Sequence, residues 1–431
     1  YGDTVNFKTN MSTSLVFRFC IMMFLQFFIW GVWYVPMWTF LGTLEIEASL
    51  RGTAYAATGV AAIISPFIVG MIADRFFPTQ KVYGWLHILG GASLLMIGQS
   101  TSWESFYPYL LLHLFFYMPT LALANSLSFQ NMMDPQREFP PIRTLGTIGW
   151  IASGILVGSS FFENGIYHLS WPAFLGGNPP PNGWSSIAYT SGTFEIGAIA
   201  SFALGLYAFS LPNTPPKMKG KTVSVGEILG LKAFRLMKDR SFAVFIFCSF
   251  LTCIPLSFYF QSANGFLKEM GISNSEGVMT LGQVSEIFFL LLVPYFFRKL
   301  GVKKMLMVGM FFWVLRYILF ANADAQTHAL LYLGVIFHGI CYDFFFVTGQ
   351  LYVDKVAPQD IRSSAQGFIA FVTLGAGMFV GGELNGWWNS KQELATGMNW
   401  EAIWYFPAIM AGIVLLIFFF MFRDPTSTKE V

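Results

Sequence analysis

Residues 338 to 350 read HGICYDFFFVTGQ, an apolar run that nevertheless carries an imidazole, His338, and a carboxylate, Asp343. Both groups take up and release protons near neutrality once their surroundings are tuned. The run from His328 to Val353 is long enough to cross a bilayer as a helix. At ~1.5 Å per residue Asp343 then lies ~15 Å from the inner end, close to the midplane. An ionisable group at that depth costs roughly 2.5 to 3.5 kcal/mol, so such residues face the bundle interior and mark a substrate or proton path.

Other chemistries find less support. His87 and His113 occupy apolar runs with no second His, Cys or carboxylate at metal-ligand spacing, which reads as hydrogen-bonded packing rather than a metal site. Cys20, Cys248, Cys253 and Cys341 all lie in apolar runs, so no disulfide framework or CxxC site is expected. There is no GKS/T phosphate loop, which argues against an ATP-driven pump, and no cofactor is expected. His338 and Asp343 could be base and acid of a membrane-embedded transferase, but at 100° per residue they stand ~140° apart on a helix. No nucleophile accompanies them, so an enzyme is the distant alternative.

These residues must be positioned by a membrane scaffold. A chain that is 55% hydrophobic and 11% charged has too few charges to cover a soluble surface, and its partner is the lipid bilayer. Apolar runs mark twelve transmembrane helices, at about 14–43, 53–73, 82–100, 105–130, 141–162, 188–211, 241–262, 278–297, 303–323, 328–353, 361–386 and 401–422. The polar stretch 212–240 divides them into halves at 14–211 and 241–423, flanked by tails at 1–13 and 424–431. The segment before Met11 reads as an appended remnant or a disordered start, and the first apolar run is too long for a cleavable signal. A second long loop, 163–187, holds GGNPPPNGW.

Lys and Arg placement sets the orientation. With both termini cytoplasmic, 21 of the 25 Lys and Arg lie inside, and the outer loops keep only Arg51, Lys268 and Lys391. The net charge of +2 and the basic central loop give no case for nucleic acid.

PQREFPPIRTLGTIG at 135–149 and PQDIRSSAQG at 358–367 occupy equivalent places in the two halves, a sign of pseudo-symmetric transporter halves that rock about a central site. GMIADR at 70–75 resembles the loop motif of the major facilitator superfamily, which implies gating roles for Gly70, Asp74 and Arg75. Arg75 read only as a topology determinant is the structural alternative.

Longer strings are similar to the nucleoside:proton symporters: FLQFFIWGVW (25–34), MPTLALANSLSF (118–129), FPPIRTLGTIGW (139–150), GQVSEIFFLLLVPYFF (282–297) and CYDFFFVTGQLYVD (341–354). The resemblance implies substrate handling by Arg143 and Thr147, with Trp150 as an aromatic neighbour. Arg143 and Thr147 are i, i+4 and share a helix face, although Arg143 also suits the start of a cytoplasmic helix end. It further implies a polar pair at Gln283 and Glu286, whose i, i+3 spacing aligns them, with Glu286 ~16 Å from the inner end and level with Asp343. Two such carboxyls could share a proton.

On the tenth span the resemblance supports Tyr342 and Asp343, while His338 replaces the family's Tyr one turn earlier. Arg316 matches a family Arg and is the expected partner of Asp343, either in coupling or as a static packing pair, and it could instead pair with Glu286. Two amides of the family fall on Ser257 and Phe260, with Gln261 next to them but pointing ~100° away. The pocket thereby gains an aromatic face.

The expectation is an all-α importer of the major facilitator fold in a bacterial inner membrane, moving nucleosides or related polar ring compounds with protons. Asp343 is the leading proton carrier and Glu286 the second. A symporter or facilitator for another small polar solute is the alternative. The orientation is tested on a cysteine-free background: Lys221→Cys should resist impermeant thiol reagents in intact cells, whereas Asn182→Cys should react. The reverse pattern would overturn the topology.

Overall fold

Backbone that leaves water must satisfy its own hydrogen bonds, and these apolar runs do so as helices. The structure, a computed structural model, describes residues 12–68, 76–132, 135–216, 231–359 and 361–423. The helices are α1 (Thr13–Tyr34), α2 (Met37–Thr43), α3 (Ala48–Ile68), α4 (Thr79–Gly98), α5 (Trp103–Gln130), α6 (Pro135–Ser159), α7 (Gly192–Ala208) and α8 (Arg240–Glu269). They continue with α9 (Ser275–Ala321), α10 (His328–Ile336), α11 (His338–Tyr342), α12 (Thr348–Val356), α13 (Arg362–Ala370), α14 (Met378–Ser390) and α15 (Trp400–Met421). Among the described residues, eight helical stretches are long and apolar enough to cross a membrane.

Local sequence explains where these elements stop. Ser12 accepts the Leu15 N–H to start α1, and Pro36, lacking an N–H, separates α1 from α2. The 47 residues of α9 cover both 278–297 and 303–323; Gly301, at φ 72°, turns the chain between them. The tenth apolar run is not one uniform helix. It breaks at Phe337 and widens into a π-helical turn at Asp343–Val347. Such turns occur frequently at functional positions.

The 163–187 segment, a loop by sequence, is partly a sheet. β1 (Ser160–Glu163) pairs antiparallel with β2 (Ile166–Leu169) around Asn164 and Gly165, both at positive φ, and β3 (Ser185–Ser186) pairs along β1. An Asn-Gly pair is a strong hairpin signal, and it ends α6 before residue 162. Asn274 donates to Gly158 O at 2.8 Å and to Ser170 O at 2.9 Å, which ties this hairpin to the start of α9.

The buried residues of the largest apolar cluster lie within 19–211, with Phe260 packed against them, while those of the others lie within 233–422 together with Val35, with Trp150 packed against one of them. Inside the first, fully buried Gln26 donates to Thr120 at 2.8 Å and accepts from Tyr83 at 2.5 Å. It also meets His87 Nε2 at 3.0 Å, so α1, α4 and α5 are joined by one amide and His87 is a satisfied core histidine. His113 likewise meets Gly90 O at 2.9 Å.

The contact that matters most for the site is between α9 and α11. A Cβ on Gly339 would stand 2.5 Å from Glu286 N, and one on Gly282 would stand 3.1 Å from His338 Cβ. Only glycines let these helices approach so closely, and the approach sets His338 and Tyr342 opposite Gln283 and Glu286. Gly339→Ala should therefore lower the thermal midpoint. Overpacking costs roughly 1 to 3 kcal/mol, against a gain in helix propensity of about 1 kcal/mol. Gly412→Ala on α15, where a Cβ meets nothing within 4 Å, should be neutral or stabilising. Equal midpoints for the two variants would remove the packing argument.

Candidate functional site

α11 and its π-helical continuation carry three of the chemically important groups. His338 is buried, lies parallel to Tyr259 with ring centroids 4.8 Å apart, and stands 5.6 Å from the Tyr342 ring. Asp343 is fully buried, and neither carboxyl oxygen has a hydrogen-bond partner among the described residues. A carboxyl without donors is tolerated as the neutral acid and gives up its proton when water or a cation reaches it. Glu286, across on α9, is half-buried and forms no hydrogen bond or ion pair within the described residues. Tyr342 lies within electrostatic reach of Glu286, Arg143 and Asp343 together, so these groups sense one another.

Above this level the walls are aromatic. Trp150 stands edge-on to Trp30 at 5.6 Å and to Tyr34 at 6.3 Å, and Tyr34 meets Phe260 at 6.1 Å. A small cavity opens between α6, α8 and α9, lined by Trp150, Gly154, Phe260, Glu276, Thr280 and Gln283 among others. As it stands the cavity is water-sized, with the rings of Trp150 and Phe260 and the polar groups of Gln283, Thr280 and Glu276 on its walls.

Not every residue singled out in the sequence gathers there. Gln261 is fully buried, lines no part of this cavity, and both its amide atoms lack partners among the described residues. Arg143 is exposed and rests over the Phe27 ring at 4.4 Å, and Thr147 is half-buried one turn on. Gly70, Asp74 and Arg75 lie outside the described residues.

The expected Arg316–Asp343 partnership is absent. Arg316 instead donates from Nε to Gly334 O at 3.0 Å and from Nη1 to His338 Nδ1 at 3.1 Å. The reason is axial distance. The backbone after Asp343 packs on Gly309, seven residues before Arg316, and seven residues of helix span ~10.5 Å. Nor does Arg316 pair with Glu286.

Sequence reasoning missed Glu276 and counted Lys268 as a plain outer charge. The two form an ion pair at 2.9 Å with side-chain exposures of 9% for Lys268 and none for Glu276. Asn264 donates to Glu276 at 2.8 Å and accepts from Ser275 at 2.5 Å. A lysine and a glutamate eight residues apart across a turn were the available signal, but periodicity does not pair residues on different helices.

The chain matches the family described as Nucleoside H+ symporter over residues 11–427. It is 43% identical to the Escherichia coli K12 protein YegT, with 96% of this chain and 95% of the relative covered. It is 30% identical to the nucleoside permease NupG of the same organism, over 97% and 99% of the two chains. The crystal structure of nucleoside transporter NupG superposes with a TM-score of 0.81 at 30% identity, covering 95% of this chain and all of that one. With a family match across almost its whole length, and helices long and apolar enough to cross a membrane, the chain is a multi-pass membrane transporter that belongs to the nucleoside H+ symporter family.

Proposed function

We propose that the protein imports nucleosides with protons by alternating access, with Asp343 as the proton carrier and Glu286 as a second titrating group. Asp343, fully buried and without a hydrogen-bond partner among the described residues, carries this reading. Twelve spans in two six-helix halves, both termini cytoplasmic and a setting in a bacterial inner membrane complete it. Apolar clusters gathered mainly within residues 19–211 and within 233–422, meeting at Val35, Trp150 and Phe260, favour two units that move relative to each other. Gln283, Phe260 and Trp150 hold the base, His338 and Tyr342 extend the wall, and Arg143 and Thr147 lie along the path.

Protonation neutralises the carboxyl and lowers the cost of moving it through the membrane. Each proton carried inward across ~100 mV supplies about 2.3 kcal/mol, enough to concentrate a neutral nucleoside about fiftyfold, and a pH gradient adds to this.

Asp343→Asn keeps the shape but cannot exchange a proton. It should abolish uphill, pH-driven uptake into liposomes while leaving counterflow exchange at least partly intact. Liposomes of this variant that still acidify on nucleoside entry would overturn the assignment, and loss of that signal in Glu286→Gln alone would move the role to Glu286. Separately, Gln283→Ala should weaken nucleoside binding by roughly 1 to 3 kcal/mol in calorimetry, the cost of leaving polar groups unpaired. Unchanged affinity and uptake would take Gln283 out of the site.

A further inference from the structure

Arg316 is fully buried, and among the described residues no carboxylate pairs with it. Its guanidinium lies 3.8 Å from the centre of the Tyr259 ring and 5.2 Å from that of Trp313. Nε is fixed on Gly334 O, which leaves Nη1 aimed at His338 Nδ1 at 3.1 Å. A guanidinium has donors and no acceptor, and it does not deprotonate in proteins. Nδ1 of His338 must therefore supply the lone pair, which places the ring proton on Nε2; a doubly protonated ring would set one N–H against another.

Among the described residues Nε2 itself has no hydrogen-bond partner, yet it is not among the sealed, unpaired polar atoms, which nearby are Arg316 Nη2 and Tyr259 OH. The ring also stands edge-on to Phe260, one wall of the cavity, with centroids 5.9 Å apart. A Cβ on Gly282, next to the cavity residue Gln283, would stand 3.1 Å from the His338 Cβ.

We infer that Arg316 locks His338 as a one-way hydrogen-bond donor beside the cavity, next to its Phe260 wall, and that this donor selects nucleosides presenting a base carbonyl over those presenting an exocyclic amine at the same position. A hydroxyl or an amide in that place could turn to suit either group; an imidazole fixed at Nδ1 cannot. Arg316 is thus a positioning residue and His338 a specificity residue. The selectivity rests on the nucleoside reading above, whereas the tautomer does not.

Two measurements on the full-length protein separate these levels. With ¹⁵N-histidine labelling, the signal lost in His338→Gln identifies His338 among the five histidines. It should show an unprotonated Nδ1 and a protonated Nε2, and Arg316→Met should turn it into a tautomer mixture. The opposite tautomer, or an imidazolium, in the unsubstituted protein overturns the proposal. In binding assays uridine should exceed cytidine, and inosine adenosine, by about tenfold or more, as expected where a mismatch leaves a buried donor unpaired. His338→Phe should erase the preference, and His338→Gln, whose amide can turn either way, should bind both members of each pair. Equal binding within both pairs by the unsubstituted protein overturns the selectivity. The stated tautomer in a protein that binds no nucleoside overturns the transport reading itself and takes the selectivity with it.

Discussion

A permanent cation enclosed among helices has to be stabilised by something other than water, and among the described residues Arg316 does without a carboxylate. Removing such an ion from water costs several kcal/mol even after relaxation. Opposing this are hydrogen bonds from a charged donor, worth roughly 1.5 to 3 kcal/mol each, and ring faces worth about 2 kcal/mol or more when dry. The support is therefore spread over several helices: Tyr259 from α8, Trp313 and Tyr317 from α9 itself, Gly334 from α10 and His338 from α11. Tyr317 is held in turn by stacking on Trp404 of α15, with centroids 5.5 Å apart and an interplanar angle of 9°. Much of the packing of the C-terminal helices follows from keeping one charge comfortable.

Asp343 is the opposite case. An aspartate can shed its charge and an arginine cannot, so the protein surrounds the second with donors' partners and rings and leaves the first bare. The π-helical turn after Asp343 helps to keep them separate, since it carries the following backbone against Gly309 and lets Thr348 satisfy the Asp343 carbonyl at 3.3 Å. A static Arg316–Asp343 pair would have fixed both charges. Their separation leaves the carboxyl chemically available.

What could be read from the sequence was whatever depends on position along one helix. The i, i+3 spacing of Gln283 and Glu286 and the one-turn spacing of His338 and Tyr342 follow from rise and rotation. What could not be read depends on which helices touch. The choice of His338 rather than Asp343 by Arg316 is decided by the glycine contacts among α9, α11 and the π-helical turn, and a local widening at residues 343–347 escapes any fixed period. The hairpin at Asn164-Gly165 is different: its turn signal is local, and it ends α6 before residue 162. Gln261 shows the limit from the other side, because adjacency to Phe260 in sequence does not bring its amide to the cavity.

The Lys268–Glu276 pair has a consequence for how the molecule responds to its surroundings. Surface pairs such as Arg362 with Asp354, at 3.5 Å and about half exposed, weaken as counter-ions crowd around them. Lys268 and Glu276, with side-chain exposures of 9% and none, are screened less by added salt.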